Sequence, residues 1–157
     1  MVRSSDESDA YHQWRELRDI VHSKFSDRVI QSNEDEYFDR LTMRERAVFY
    51  MAYYIPHIEC EGMCGYLYDF VSDKFRETIE SLEAIGSTET LDIFRRARAL
   101  FPDGNPERST ELRRDQVESF TQEQLHIIKV LESEFCDSGE DLYELAVKYW
   151  QDNEGKT

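Results

Sequence analysis

The stretch MCGYLYDFVSDKFRETIESLEAIGSTETLDIFRRARALF, residues Met63 to Phe101, decides the fold. Phe75, Ile79, Leu82 and Ile85 recur at steps of four and three, so they share one face of a helix. Gly86 ends that helix, because a residue without Cβ takes the left-handed conformation that a helix terminus often needs. Leu91, Phe94, Ala97 and Phe101 form the apolar stripe of a second helix, and Pro102-Asp103-Gly104 closes it. The residues that open the stretch, bracketed by Gly62 and Gly65 and rich in tyrosine, read as an aromatic turn ahead of these two helices.

Upstream, Tyr11, Trp14, Leu17 and Val21 step at three, three and four, which predicts a helix from about Ser8 to Phe25. Residues 1–9 are polar and expected to fray, as are 153–157, and Gln31 to Glu36 reads as an acidic loop. Thr42 and Glu45 have the spacing of a capping box, in which two side chains satisfy each other's free backbone amides at a helix start. Val48, Met51, Ala52 and Ile55 follow on one face, and Pro56, which lacks a backbone donor, predicts a kink or break. Downstream, a polar loop leads to a short helix over about Thr110 to Ser119. Thr121 and Gln124 form a second capping box, flanked by Phe120 and Leu125 as a hydrophobic staple. Leu125, Ile128, Leu131 and Phe135 then make one stripe; Leu142, Leu145, Ala146 and Tyr149 make another, ending near Asp152. The short turn at Ser138-Gly139 predicts that these last two helices pack antiparallel. No alternating strand pattern and no repeat is present. The expected fold is all-α: one domain over residues 1–157, of about six to eight helices.

With thirty-four acids against nineteen bases, the net charge is −15. A surface this acidic repels nucleic acid and anionic membranes and favours basic partners, metal ions or plain solubility. The excess is uneven. Residues 88–114 balance at +1, whereas residues 115–157 carry eleven acids and three bases, or −8. One side of the molecule is therefore expected to be strongly negative. Three cysteines, an N-terminus without an apolar segment (MVRSSDESDAYHQW) and no apolar run of about eighteen residues lead to the expectation of a reduced, cytoplasmic setting with no membrane span.

Enzyme signatures are missing: there is no G-x-S-x-G, no Walker loop and no H-E-x-x-H. His12, His22 and His126 fall singly on predicted helices and read as packing or surface residues. No catalytic residue and no cofactor is expected. His57, Cys60 and Cys64 stand at i, i+3 and i+7, which on an unbroken helix places an imidazole and two thiolates on one face, a donor set suited to zinc with Glu61 as a fourth ligand. The plainer reading is two small buried cysteines and a surface histidine. Phe49, Tyr50, Tyr53 and Tyr54, then Tyr66, Tyr68 and Phe70, line a pocket on one reading. On the other they are ordinary core, with the tyrosine hydroxyls reaching the surface.

The acids themselves form two arrays. Glu132, Glu134, Asp137, Glu140, Asp141 and Glu144 crowd the junction of the last two helices, with Lys129 and Lys148 the nearby bases; Glu34, Asp35, Glu36 and Asp39 form a second group. Carboxylates three or four residues apart on a helix stand about 5–6 Å apart at Cβ. Phosphates along a DNA strand recur at about 3.4 Å of axial rise and are further apart through space. The two spacings are comparable, so a rigid helical pair can present carboxylates where a DNA-binding protein expects phosphates. The plainer reading is a solvated face of self-repelling charge.

A resemblance joins these pieces. Glu77-Thr-Ile-Glu-Ser-Leu-Glu-Ala-Ile-Gly86, then Leu91-Asp-Ile-Phe-Arg-Arg-Ala97 and Ala99-Leu-Phe-Pro102, are similar to the bacterial DNA-mimic protein family of the DMP-nineteen type, largely a domain of unknown function. The order continues with Arg113 and Arg114 in a short helix, Leu131-Glu-Ser-Glu-Phe135, and Asp141-Leu-Tyr-Glu-Leu145 to Tyr149, so the resemblance spans about residues 41–152. The family's Asn-Gly-Gly-Phe turn is replaced here by Glu61-Gly62-Met63-Cys64. The resemblance implies a compact helical protein without catalytic residues. It implies a basic partner: a transcriptional regulator or other DNA-binding protein whose DNA site the carboxylates occupy. Some related small domains are suspected to neutralise toxins, so a basic toxin is the alternative partner. A metal-binding module on His57, Cys60 and Cys64 is the alternative of another class. The expected state is a monomer or homodimer that touches neither nucleic acid nor membrane directly.

Overall fold

The computed structural model describes residues 5–23 and 41–156. Eight α-helices and two 3-10 segments run through them, and no strand occurs among the described residues. In chain order the α-helices are α1 (Ser5–Ser23), α2 (Met43–Tyr53), α3 (Ile55–Tyr68), α4 (Phe75–Ala84), α5 (Glu89–Arg98), α6 (Thr110–Glu118), α7 (Gln122–Asp137) and α8 (Leu142–Asp152). The 3-10 segments are Phe70–Lys74 and Pro102–Gly104. The protein is all-α. Helix α1 begins at Ser5, so the described part of the polar N-terminus is helical rather than frayed.

Local signals hold where the chain can satisfy them by itself. Both capping boxes form: Thr42 and Glu45 open α2, and Thr121 and Gln124 open α7. All eight residues of the two central stripes, Phe75 to Ile85 and Leu91 to Phe101, are buried. Gly86 takes φ +77 directly after α4, as its helix-ending role requires. Pro56 sits in the first turn of α3, with the break just before it at Tyr54; at that position the missing N–H costs no helical bond.

Two expectations change. The aromatic turn is helical: Met63 to Tyr68 is the second half of α3, set off from the first half by a single left-handed residue, Gly62, at φ +73 and ψ 174. Met63, Tyr66 and Leu67 recur at three and four and are fully buried, so the segment has its own apolar face. Helices α7 and α8 are also not a packed antiparallel pair. Helix α7 lies on α3 and α5, while α8 lies on α1 and α2. The linker is non-helical at Ser138 and extended at Asp141, and it carries α8 away to seal Leu142, Ala146 and Val147 against other helices.

The candidate aromatic pocket is core. Phe49, Tyr50, Tyr54 and Tyr66 are buried, and rings stack in sequence through Tyr66, Phe94, Phe75, Phe101 and Phe120, with centroids 5.2–6.5 Å apart. Tyr66 is buried to its hydroxyl, and burial raises its pKa, against the expectation that such hydroxyls reach the surface. Tyr68 and Phe70 are exposed. No helix among the described residues is long and apolar enough to cross a membrane.

Candidate acidic interface

The acids at the α7–α8 junction separate by what their carboxylates do. Glu132 faces α3: its Oε2 accepts the Met63 N–H at 2.9 Å, capping the second half of that helix from a distant element. The approach depends on Gly62, since a Cβ there would stand 2.4 Å from the same oxygen. Glu140 does the equivalent for α5. The N-cap residue of α5, Thr88, makes no side-chain cap of its own. Glu140 accepts the Thr88 N–H at 2.6 Å, the Thr90 N–H at 3.0 Å and the Ser87 hydroxyl at 2.8 Å. Burial disfavours its charge, yet the Thr88 and Thr90 N–H groups and the Ser87 hydroxyl outweigh that and hold its pKa below the ordinary carboxyl value.

Asp141 is the N-cap of α8 and accepts the Tyr143 and Glu144 N–H groups at 3.0 Å each. Glu134 is held by Arg96 in a two-point contact of 2.5 and 3.1 Å, and this hydrogen bonding lowers its pKa. Asp137 and Glu144 are exposed and accept no hydrogen bond among the described residues. Of the six acids, three are spent on helix starts, Glu134 is held in an exposed ion pair with Arg96, and two point freely to solvent. Glu34, Asp35, Glu36 and Asp39 lie outside the described residues.

The bases explain why the charge does not cancel. Those between Arg76 and Arg114 are engaged within the fold. Arg76 meets Glu80 at 3.0 Å, Arg95 meets Glu83 at 2.6 Å, and Arg108 meets Glu77. Arg98 donates to the Gly104 carbonyl at 2.8 Å, and Arg114 donates to the Tyr68 carbonyl at 2.7 Å while its guanidinium lies 5.1 Å from the ring. Arg113 is completely buried. It donates to the carbonyls of Leu67, Asp69, Glu107 and Arg108 and meets Asp73 at 2.8 Å. By contrast, of the acids from 115 to 157, Glu134 is the one that meets a base among the described residues. The near-neutral balance of residues 88–114 was a signal that charge is consumed there, but it could not say by which partners.

The metal candidates do not converge. Gly62 breaks α3 between Cys60 and Cys64, so the shared face that i, i+3, i+7 spacing requires is lost. Among the described residues no three His, Cys, Asp or Glu side chains gather as a metal site. Cys60 and Cys64 are not small buried fillers either: both are free and exposed, while α3 buries Ile55 and Ile58, and Cys136 on α7 is free and exposed as well. His57 Nε2 lies 3.3 Å from Asp69 Oδ2.

A family model described as DMP19-like protein matches residues 39–153. No curated protein and no solved structure matches the chain.

Proposed function

Since the chain belongs to the DMP19-like protein family, we propose that it is a non-enzymatic binder of a basic protein surface, acting through the acidic face of α7, the α7–α8 linker and α8. In its sharpest form the carboxylates stand in for DNA phosphates and occupy the DNA site of a transcriptional regulator, the activity that the sequence resemblance implies. The observation that carries the reading is the unequal use of charge. Bases from Arg76 to Arg114 are engaged by partners within the chain, whereas among the described residues Glu134 alone of the acids of residues 115–157 meets a base. The inward bonds of Glu132, Glu140 and Asp141 add a second support. They fix the backbone that displays Asp137 and Glu144, and a rigid array loses less entropy on binding than a mobile one.

Binding driven by charge complementarity weakens steeply with salt. The test is affinity capture from the native lysate at low salt, followed by a salt gradient. A DNA-binding protein released at moderate salt, and displaced by its own DNA, supports mimicry. A regulator that binds equally at about 0.1 M and about 1 M salt, where the screening length differs roughly threefold, overturns it. A co-encoded toxin held through high salt moves the reading to immunity.

A further inference from the structure

A cleft of about 720 Å³ opens where α1, α3, α5 and the α7–α8 linker meet. That size lies within the range of about 300–1,000 Å³ typical of ligand pockets. The buried Ile55 and Leu142 line it together with the rings of Phe135, Tyr143 and the exposed Tyr11, and polar groups such as Thr90 and Ser138 share the lining. The Tyr143 ring is braced by Tyr11 at 6.1 Å and by Trp14 at 5.2 Å.

Two helix N-termini, those of α5 and α8, also reach this cleft and would by themselves make it attractive to anions. Each is already capped by a carboxylate, Glu140 for α5 and Asp141 for α8. One further carboxylate lines the cleft, Glu59, and it has no hydrogen bond or ion pair among the described residues. Among the described residues no Lys or Arg lines the space. Glu59 is exposed to solvent, and its partial burial raises its pKa. What remains is a concave, aromatic-walled slot with an uncompensated negative charge.

We infer that this cleft receives an arginine side chain of the basic protein partner, the guanidinium meeting Glu59 while its planar faces lie against the tyrosine and phenylalanine rings. Arginine suits the lining better than lysine, because a flat, weakly hydrated guanidinium both stacks on rings and pairs with a carboxylate. The slot resembles in physical terms what an arginine meets in a narrow minor groove, a negative concavity rather than an exposed phosphate row. This inference rests on the proposed binding of a basic protein.

The test is a backbone-amide NMR titration of the full chain at low salt with two probes, an acetylated, amidated tri-arginine peptide and its tri-lysine counterpart. The arginine probe is expected to shift the amides of Glu59, Thr90, Cys136 and Leu142 and to bind more tightly than the lysine probe. Glu59→Gln is expected to weaken the arginine probe by about tenfold, as for loss of one charge-assisted contact, with the melting curve unchanged. Equal binding of both probes overturns the cleft. So does binding that survives Glu59→Gln but is lost in a double variant, Asp137→Lys with Glu144→Lys; that result leaves the acidic-face reading standing. Failure of either probe to bind anywhere at low salt overturns both.

Discussion

Arg113 uses its whole guanidinium inside the protein. Four carbonyls and the Asp73 carboxylate surround it, and it joins the end of α3, the first 3-10 segment and the loop before α6. Replacing it with Met leaves those acceptors facing an apolar side chain. Arg113→Met is expected to destabilise by roughly 3–5 kcal/mol, the cost of breaking a buried pair from one side, read by denaturant unfolding. Glu140 makes a different prediction at the same scale. Its folded pKa is depressed, so its contribution is fully present above the ordinary carboxyl value of about 4.5 and is lost as pH falls through the folded value. Glu140→Ala is expected to cost about 1 kcal/mol at neutral pH, on the scale of an N-cap residue, and the gap to wild type should close as the solution becomes acid. A gap that stays constant down to pH about 2 would show that the carboxylate does not cap α5 as charged. Neither role was legible beforehand. A lone Arg in a polar helix and a Glu in a turn look the same in sequence whether they face water or another element.

At the scale of elements, α3 is the instructive case. Its two halves meet at Gly62, where the φ of +73 disfavours any side chain and the Glu132 carboxylate fills the space a Cβ would need. Gly62→Ala is therefore expected to destabilise by roughly 1–3 kcal/mol through backbone strain and displacement of Glu132. Adding Glu132→Ala should cost less in that background than in wild type, because the cap is already disturbed; thermal melts of the four-variant cycle measure the coupling. Strict additivity would mean that Gly62 and Glu132 act separately. The amphipathic stripes and both capping boxes were legible because helical periodicity and N-terminal caps are local. The Gly62–Gly65 segment was misread as a turn because two nearby glycines carry a turn signal. Their neighbours' burial, which makes the segment helical, comes from distant elements, with Phe75 of α4 and Phe94 of α5 packed on Tyr66 and with α6 and α7 alongside.

The whole molecule sorts its charges by sign. Among the described residues the bases from Arg76 to Arg114 all meet partners within the chain, and the acids from Asp115 onward remain largely without a base. Reversing the two free carboxylates, Asp137→Lys with Glu144→Lys, changes the net charge from −15 to about −11. The expected outcome is a marked loss of affinity for a basic partner with a melting temperature within a degree or two of wild type, since surface substitutions away from caps and pairs usually move stability by no more than about 0.5 kcal/mol. Binding measured by titration calorimetry beside a thermal melt separates the two effects. Unchanged affinity would place the partner elsewhere on the surface. Glu140 and Asp141 are unsuited to this test, because reversing either would also remove a helix cap.

Composition and periodicity by themselves determined an all-α chain, its helix starts, its central stripes and its negative C-terminal quarter, because each is a property of residues a few positions apart. Tertiary structure decided which carboxylates are spent and which are free. It sent α8 to α1 and α2 rather than to α7, set Glu132 at the break within α3 and Glu140 at the start of α5, and left Glu59 without a hydrogen bond or ion pair among the described residues. Those outcomes depend on the partner that long-range packing brings within about 3 Å, the distance at which a hydrogen bond replaces a charge's water.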